Sequence, residues 1–253
     1  MKNTDTRQLP LEFFYRPYMG RDDFMMAECN FEAFRLVDSW PHWTYFAACI
    51  YGPEGCGKTH LANIFAEKVS VEEHYPYKIP QIKAADLTLD MPRALLDIYP
   101  CLIVEDLTSE INQEALFHLY NIFRDEGGSV LFTSQEAPAR LNFTLPDLRS
   151  RMNIVPSVEI AEPDDGLLSA LLVKLFMDRQ INVSPEILNY ILANMQRSFA
   201  YARKLVSEID TISLAQKRAV TIPLVKEAIA SLADNSQGEL FAFSDGQGEL
   251  FPL

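Results

Sequence analysis

The chain has 253 residues, and its 22 basic against 35 acidic side chains give a formal charge of −13. A hydrophobic content of 48% is sufficient for a folded core and excludes a disordered chain. No apolar run reaches the roughly 18 residues of a membrane-spanning helix, and the polar first residues do not resemble a signal peptide, so we expect a cytoplasmic protein. The acidic charge disfavours strong direct binding to DNA, which depends on lysine and arginine.

The first two thirds of the chain have the pattern of an α/β domain. Residues 1–20 show no sustained hydrophobic period and are interpreted as an extended arm. After the arm, short apolar runs alternate with amphipathic stretches such as 112–126, which predicts βαβ units around a parallel five-stranded sheet in a domain at 21–162. The predicted strands are 44–51, 77–82, 101–105, 129–133 and 155–160.

After residue 162 the strand signals end, and apolar residues recur three and four positions apart. Hydroxyl residues beside first-turn prolines, at Ser184 and Thr221, are typical of helix starts. We therefore predict a small all-helical domain at 163–233, followed by an acidic flexible tail at 234–253. The predicted helices are 163–181, 184–195, 198–216 and 222–233.

A glycine-rich segment lies between the first predicted strand and a predicted helix at 60–69, and it matches the phosphate-loop pattern G-x-x-x-x-G-K-[ST]. Glycines let backbone N–H groups surround phosphate oxygens, and the helix N-terminus adds positive potential. Lys58 is expected to reach the β- and γ-phosphates, and the Thr59 hydroxyl to ligate Mg²⁺. The residues predicted to contact the phosphates are Gly52, Pro53, Glu54, Gly55, Cys56, Gly57, Lys58, Thr59 and His60.

An apolar strand that ends in two acidic residues, Glu105 and Asp106, follows about 45 residues later. Beside a phosphate loop, one carboxylate is expected to hold the magnesium shell and the other to orient the attacking water. Both are therefore candidate catalytic residues.

These segments together resemble the AAA+ ATPases, and within them the DnaA branch of bacterial replication initiators. Segment 22–30 resembles the stretch that packs beside the adenine, and 131–134 resembles the strand end called sensor 1. Segment 145–151 resembles the arginine-finger segment, and 221–227 the last lid helix. The resemblance covers about residues 20–233, and it implies an AAA+ core with a helical lid that binds ADP or ATP with Mg²⁺.

The resemblance also implies roles for single residues. Arg151 is expected to be an arginine finger that acts in trans, with Arg149 as the neighbouring alternative. Ser134 is expected to contact the nucleotide as sensor 1, although Gln135 beside it replaces the family's aspartate. Glu105 occupies the magnesium position, where the family commonly has aspartate, and is predicted to ligate the ion with Thr59.

The lid arginine of the family, called sensor 2, falls near Ala200. Arg197 and Arg203 lie one helical turn to either side, and either can replace it; we assign Arg203 as the candidate contact. These departures disfavour efficient hydrolysis of the chain's own nucleotide, whereas the complete phosphate loop favours binding.

The arm contains the sequence QLPLEF at 8–13, which resembles the short peptide that docks on the replicative sliding clamp, the DNA polymerase β subunit. Gln8 is expected to make a polar contact, while Leu9, Leu11 and Phe13 fill an apolar pocket. We expect no helix-turn-helix domain beyond the lid. This combination resembles regulatory members of the DnaA branch, which promote hydrolysis of DnaA-bound ATP and restrain re-initiation of chromosome replication.

The implied partners are DnaA and the sliding clamp, with self-association through AAA+ interfaces as an open expectation and no membrane partner. The alternative function is that of a DnaA-family helicase loader or a stand-alone P-loop ATPase with its own turnover.

The tail also leaves two interpretations open. Its sequence QGELF occurs at 237–241 and again at 247–251, which fits either a solubilising tail or a second, weaker clamp-docking region.

Overall fold

Five parallel strands form a single sheet in the order β2-β3-β4-β1-β5. The computed structural model describes residues 20–21, 24–72 and 78–242, with side chains described up to residue 233. Each predicted apolar run overlaps one of the strands, which confirms the predicted α/β class. The strands are β1 (Ala47–Tyr51), β2 (Gln81–Lys83), β3 (Cys101–Leu107), β4 (Ser129–Ser134) and β5 (Ser157–Glu159).

Helices cover both faces of this sheet because alternate strand residues point to opposite sides. Ala48 and Ile50 of β1 join a core with the first two helices, while Ala47 and Cys49 join a core with the fourth and fifth. The α-helices among the described residues of this part are α1 (Phe31–Asp38), α2 (Lys58–Glu72), α3 (Met91–Leu96), α4 (Gln113–Glu126) and α5 (Pro146–Met152).

Four further helices form the lid around a separate apolar core. Three of them begin at side-chain caps, in which Asp164, Ser184 and Ser198 accept a backbone N–H from three residues further on. All four predicted lid helices are present. They are α6 (Asp165–Asp178), α7 (Pro185–Asn194), α8 (Phe199–Gln216) and α9 (Ile222–Ala242).

The structure differs from the sequence prediction at the end of the lid. Helix α9 continues to Ala242, nine residues beyond the predicted end, and so includes the first QGELF copy. The second copy, the predicted clamp-docking peptide with Gln8, Leu9, Leu11 and Phe13, and residues 22–23 lie outside the described residues. Within the described part of the chain, no helix combines the length and apolar character that crossing a membrane requires.

Candidate nucleotide-binding site

The loop between β1 and α2 is held in a conformation that favours glycine. Gly52 has φ +153°, and a Cβ atom there would lie 2.2 Å from the Ile160 carbonyl oxygen just after β5. Gly55 has φ +74°, and its added Cβ would lie 2.9 Å from the Ala200 Cβ atom. The loop therefore passes close beneath both the end of the sheet and the first turn of α8.

A cavity of about 350 Å³, called here the loop–lid cavity, lies between this loop and the lid. Its polar end is formed by the loop and the first turn of α2. Its apolar wall is formed by four side chains, of which two come from the lid. These are Phe24, Met25, Leu171 and Phe199.

The segment before α1 forms one wall of the loop–lid cavity. The Phe24 ring stacks on Phe34 with centroids 5.6 Å apart and meets His60 edge-on at 5.2 Å. The buried Asn30 side chain fixes the turn, since it accepts the Ala27 N–H at 2.9 Å and donates to the Met25 carbonyl at 2.9 Å. Residues 24–30 therefore lie beside the cavity, and their packing against an adenine stays a prediction.

Lys58 is a buried residue of the loop–lid cavity, with 8% of its surface exposed. Its Nζ atom donates to the Gly52 carbonyl at 2.7 Å and to the Pro53 carbonyl at 2.9 Å. These two bonds offset the loss of hydration. Cys56 packs beside the ammonium group, and burial raises the pKa of its thiol although Lys58 opposes the shift. Cys56 is therefore a packing residue of the loop, with little thiolate character.

Six of the predicted loop contacts line the loop–lid cavity, and three do not. Gly52, Pro53 and Cys56 are not among its lining residues. They act on the site through the backbone and through their contacts with Lys58. The six that line it are Glu54, Gly55, Gly57, Lys58, Thr59 and His60.

The two acidic residues at the end of β3, Glu105 and Asp106, lie in different places relative to the loop–lid cavity. Pairing with β4 is irregular between Val104 and Leu107, and Asp106 has φ +57° while its N–H donates to Thr133 Oγ1 at 3.1 Å. Asp106 lines the loop–lid cavity. Glu105 does not line it, and its Oε1 atom is buried without a hydrogen-bond partner.

The prediction that Glu105 ligates magnesium is therefore corrected, since the irregular strand end brings Asp106 to the cavity instead. An Asp106 carboxylate and a Thr59 hydroxyl, both lining the cavity, are the oxygen donors that Mg²⁺ prefers, so the residues present fit this ion. Most of its remaining ligands would be water and phosphate oxygens, which agrees with the absence of a cluster of three or more metal-binding side chains among the described residues.

The predicted sensor 1 residue Ser134 is fully buried outside the loop–lid cavity. Its hydroxyl donates to the Glu136 carbonyl and lies 3.6 Å from the Cys49 thiol, whose pKa burial raises to about 12. Its own carbonyl accepts the Gly52 N–H at 3.2 Å. The prediction of a direct nucleotide contact is thus corrected, because Ser134 supports the loop through its backbone.

The lid distinguishes the two arginines left open by the sequence. Arg203, on α8, lines the loop–lid cavity. Arg197 forms an exposed ion pair with Asp165 and is not among the lining residues. Ala200 packs against Gly55, so the small residue at the family's sensor 2 position allows α8 to approach the loop. The geometry therefore selects Arg203.

The two arginines of α5 do not line the loop–lid cavity. Arg149 donates from Nε and Nη2 to the Phe143 carbonyl, at 3.0 and 2.5 Å. Arg151 lies over two aromatic side chains of α4, with its Cζ atom 4.3 Å from the Phe117 ring centroid and 5.4 Å from that of Tyr120. We call Phe117 and Tyr120 the aromatic platform. Neither arginine is placed to act on a nucleotide bound in the cavity of its own chain.

Sequence reasoning missed three residues of the site. Leu171 and Phe199 belong to the apolar wall but appear in the sequence as ordinary lid residues. Thr133, which fixes the backbone of Asp106, precedes the residue that was predicted as sensor 1. The sequence does show two hydroxyl residues at the end of β4, Thr133 and Ser134. Only the structure shows that Thr133 is the one that bonds the Asp106 backbone.

A parallel sheet in this strand order, with a phosphate loop after β1 and a helical lid over the loop, defines a P-loop module of the AAA+ class. The family model described as the bacterial DnaA ATPase domain matches residues 19–158. A second family model, the lid domain of Hda, matches residues 165–229. The chain therefore belongs to the DnaA family, and its lid is of the Hda type.

Relatives and solved structures agree with this membership. The chain is 25% identical to the chromosomal replication initiator protein DnaA of Flavobacterium psychrophilum over 92% of its length, which covers 53% of that protein. It thus spans about half the length of this relative. The crystal structure of domain III of Thermotoga maritima DnaA has a TM-score of 0.71 at 21% identity, covering 86% of this chain and 97% of that one. AMPPCP-bound DnaA from Aquifex aeolicus has a TM-score of 0.60 at 20% identity, covering 77% and 64%.

Proposed function

We propose that this chain is a regulatory member of the DnaA family that promotes hydrolysis of DnaA-bound ATP and so restrains re-initiation of chromosome replication in the cytoplasm. The observation that carries the proposal is the position of Arg151, which lies outside the loop–lid cavity on the aromatic platform. Because Arg151 does not line the cavity of its own chain, a nucleotide on which it acts would belong to a neighbouring molecule.

In this function, the chain binds ADP or ATP in the loop–lid cavity. Lys58, Thr59 and Arg203 bring two cationic groups and a hydroxyl to the cavity, and Phe24 and Phe199 bring two aromatic rings. That pairing suits a charged phosphate chain and a flat base. The AMPPCP-bound DnaA relative supports an adenine nucleotide. Bound Mg²⁺ would neutralise phosphate charge, with Thr59 and Asp106 as its protein ligands.

Arg151 would act on the partner's ATP by donating hydrogen bonds to the γ-phosphate as negative charge develops there. Arginine fingers increase hydrolysis rates by about 10³–10⁵-fold in known cases. Such an effect requires a fully charged, planar guanidinium, because its fork of donors matches phosphate oxygens. Because the chain belongs to the DnaA family, DnaA is the proposed partner.

The arm would bring the chain to the sliding clamp through Gln8, Leu9, Leu11 and Phe13, with the clamp as the second partner. Docking on a ring that encircles DNA would raise the effective concentration of the chain near DNA-bound DnaA. Self-association through AAA+ interfaces stays a prediction.

The test is single-turnover hydrolysis of ATP bound to full-length DnaA, measured with and without this chain and with and without clamp loaded on DNA. We expect fast hydrolysis only when the chain and the loaded clamp are both present. Hydrolysis that the chain does not accelerate under any of these conditions would refute the proposal.

A second candidate function is ATP turnover by the chain itself, as in a helicase loader or a stand-alone ATPase. It is favoured by Asp106, which shares the loop–lid cavity with Lys58 and Thr59 and so places a carboxylate where it can orient water. Multiple-turnover hydrolysis by the isolated chain, lost in Asp106→Asn, would support it. The regulatory function instead predicts little turnover without DnaA.

A further inference from the structure

The aromatic platform is built from one face of α4. Phe117 and Tyr120 are three residues apart and therefore share that face, and Arg151 comes from the last turn of α5, which packs against α4. The guanidinium thus lies on the faces of two rings within its own chain. A cation over ring faces is attracted by their negative potential, most strongly where water is excluded.

Tyr120 is fixed by contacts on its other side. Its ring is 1% exposed, and its hydroxyl hydrogen-bonds the hydroxyl of Tyr45, which lies just before β1. Phe46 meets the Tyr120 ring edge-on with centroids 4.8 Å apart. Burial and the Tyr45 hydrogen bond raise the pKa of Tyr120, so its hydroxyl stays neutral beside the arginine.

The platform holds Arg151 without using up its hydrogen-bond donors. Among the described residues, the Nη1 atom of Arg151 is buried without a hydrogen-bond partner, whereas Arg149 donates two hydrogen bonds to the Phe143 carbonyl. A carboxylate beneath Arg151 would also hold it, but would neutralise it and compete with phosphate. Two neutral rings orient the guanidinium without neutralising its charge.

We infer that Tyr120, locked by Tyr45, is a positioning residue for Arg151 and sets the rate at which Arg151 promotes hydrolysis of the partner's ATP. This inference rests on the proposed function. A group that stabilises a transition state must be placed closely, since a displacement of about 1 Å can lower a rate about 10²-fold. The positioning role belongs to the face of the Tyr120 ring, and the hydroxyl pair with Tyr45 holds that ring in place.

The test titrates full-length chain variants against ATP-loaded DnaA and DNA-loaded clamp, and determines the maximum hydrolysis rate and the chain concentration that gives half of it. Tyr120→Leu removes the ring face and is expected to lower the maximum rate about tenfold, with an unchanged half-maximal concentration. Tyr120→Phe keeps the ring and should retain most of the rate. Tyr45→Phe should give the same maximum rate as Tyr120→Phe. The double variant, which combines Tyr45→Phe with Tyr120→Phe, should lose no more of that rate than either single variant. Phe123→Leu, an equally buried aromatic change on the same helix, is the control for core damage and should leave the rate unchanged.

Nuclear magnetic resonance of the isolated chain gives a second readout. The Nε–H signal of Arg151, identified by its loss in Arg151→Ala, should be shifted by the ring current of the platform and should move toward the value of a free arginine in Tyr120→Leu. An unmoved signal, an unchanged maximum rate, or a change confined to the half-maximal concentration would overturn the inference. If Arg151→Ala abolishes stimulation while Tyr120→Leu preserves it, only the inference fails; if Arg151→Ala stimulates normally, the proposed function fails.

Discussion

The loop–lid cavity and the aromatic platform are built on opposite faces of the same sheet and by different means. The cavity depends on α2, which packs on one face, and the platform on α4 and α5, which pack on the other. In the cavity, backbone geometry and a short motif bring cationic and hydroxyl groups together. At the platform, one arginine is placed by side-chain packing alone. Under the proposed function, this arrangement would separate binding of the chain's own nucleotide from action on a neighbour's.

Among the binding measurements, the largest expected effect concerns the loop–lid cavity. Lys58→Ala removes a buried cation at the polar end of the cavity, and we expect Mg²⁺-dependent ADP affinity to fall by about 10²-fold or more. Fluorescence titration with a labelled ADP measures it. Lys68→Ala is the matched control, because Lys68 lies on the same helix but pairs with Asp38 and Glu72. Equal ADP affinities for Lys58→Ala and the unchanged chain would show that the nucleotide does not bind in the loop–lid cavity.

Arg203 and Arg197 of the lid test which lid side chain contributes to nucleotide affinity. Arg203→Ala removes a cationic side chain that lines the cavity, and we expect ADP affinity to fall about tenfold. Arg197→Ala, on the other side of Ala200, breaks only an exposed ion pair with Asp165 and should change affinity little. Isothermal titration calorimetry compares the two. The reverse order of effects would show that the lid closes differently when the nucleotide binds.

The two acidic residues of β3 give a smaller and more specific effect. Asp106→Asn should weaken the dependence of nucleotide affinity on Mg²⁺, since it removes a carboxylate that faces the cavity. Glu105→Gln should leave that dependence intact, because Glu105 does not reach the cavity. Nucleotide titrations over a range of Mg²⁺ concentrations distinguish the two. A loss confined to Glu105→Gln would restore the original assignment of the metal ligand.

These residues mark how far the sequence alone could predict the site. The motif at 52–59 fixes its own strand–loop–helix context, and the strands and lid helices follow from hydrophobic period and cap residues. The choice between Glu105 and Asp106 depends on an irregular strand end, which a local pattern does not contain. The choice between Arg197 and Arg203 depends on an ion pair with a residue on another helix. The surroundings of Arg151 could not be predicted from the local sequence either, because the rings that it contacts belong to α4.

The smallest expected effect concerns the tail and the arm. Gln8→Ala should weaken clamp binding about tenfold, a typical loss at a peptide anchor. Deletion of 243–253, which removes the second QGELF copy, should cost about threefold alone, since a weak second contact acts through effective concentration. Surface plasmon resonance on immobilised clamp measures both. If the deletion has no effect alone or with Gln8→Ala, the tail is a solubilising segment and only the arm docks.

The central claim is that Arg151 acts on the nucleotide of a partner, and the most direct test follows the phosphate of that partner. DnaA is loaded with ATP labelled on the γ-phosphate, the chain is loaded with unlabelled ADP, and the two are mixed on DNA-loaded clamp. We predict rapid release of labelled phosphate with the unchanged chain and with Arg149→Ala. With Arg151→Ala the rate should fall by about 10³-fold or to that of DnaA alone, while ADP and clamp binding stay unchanged. Release that is equally fast with Arg151→Ala would contradict the claim.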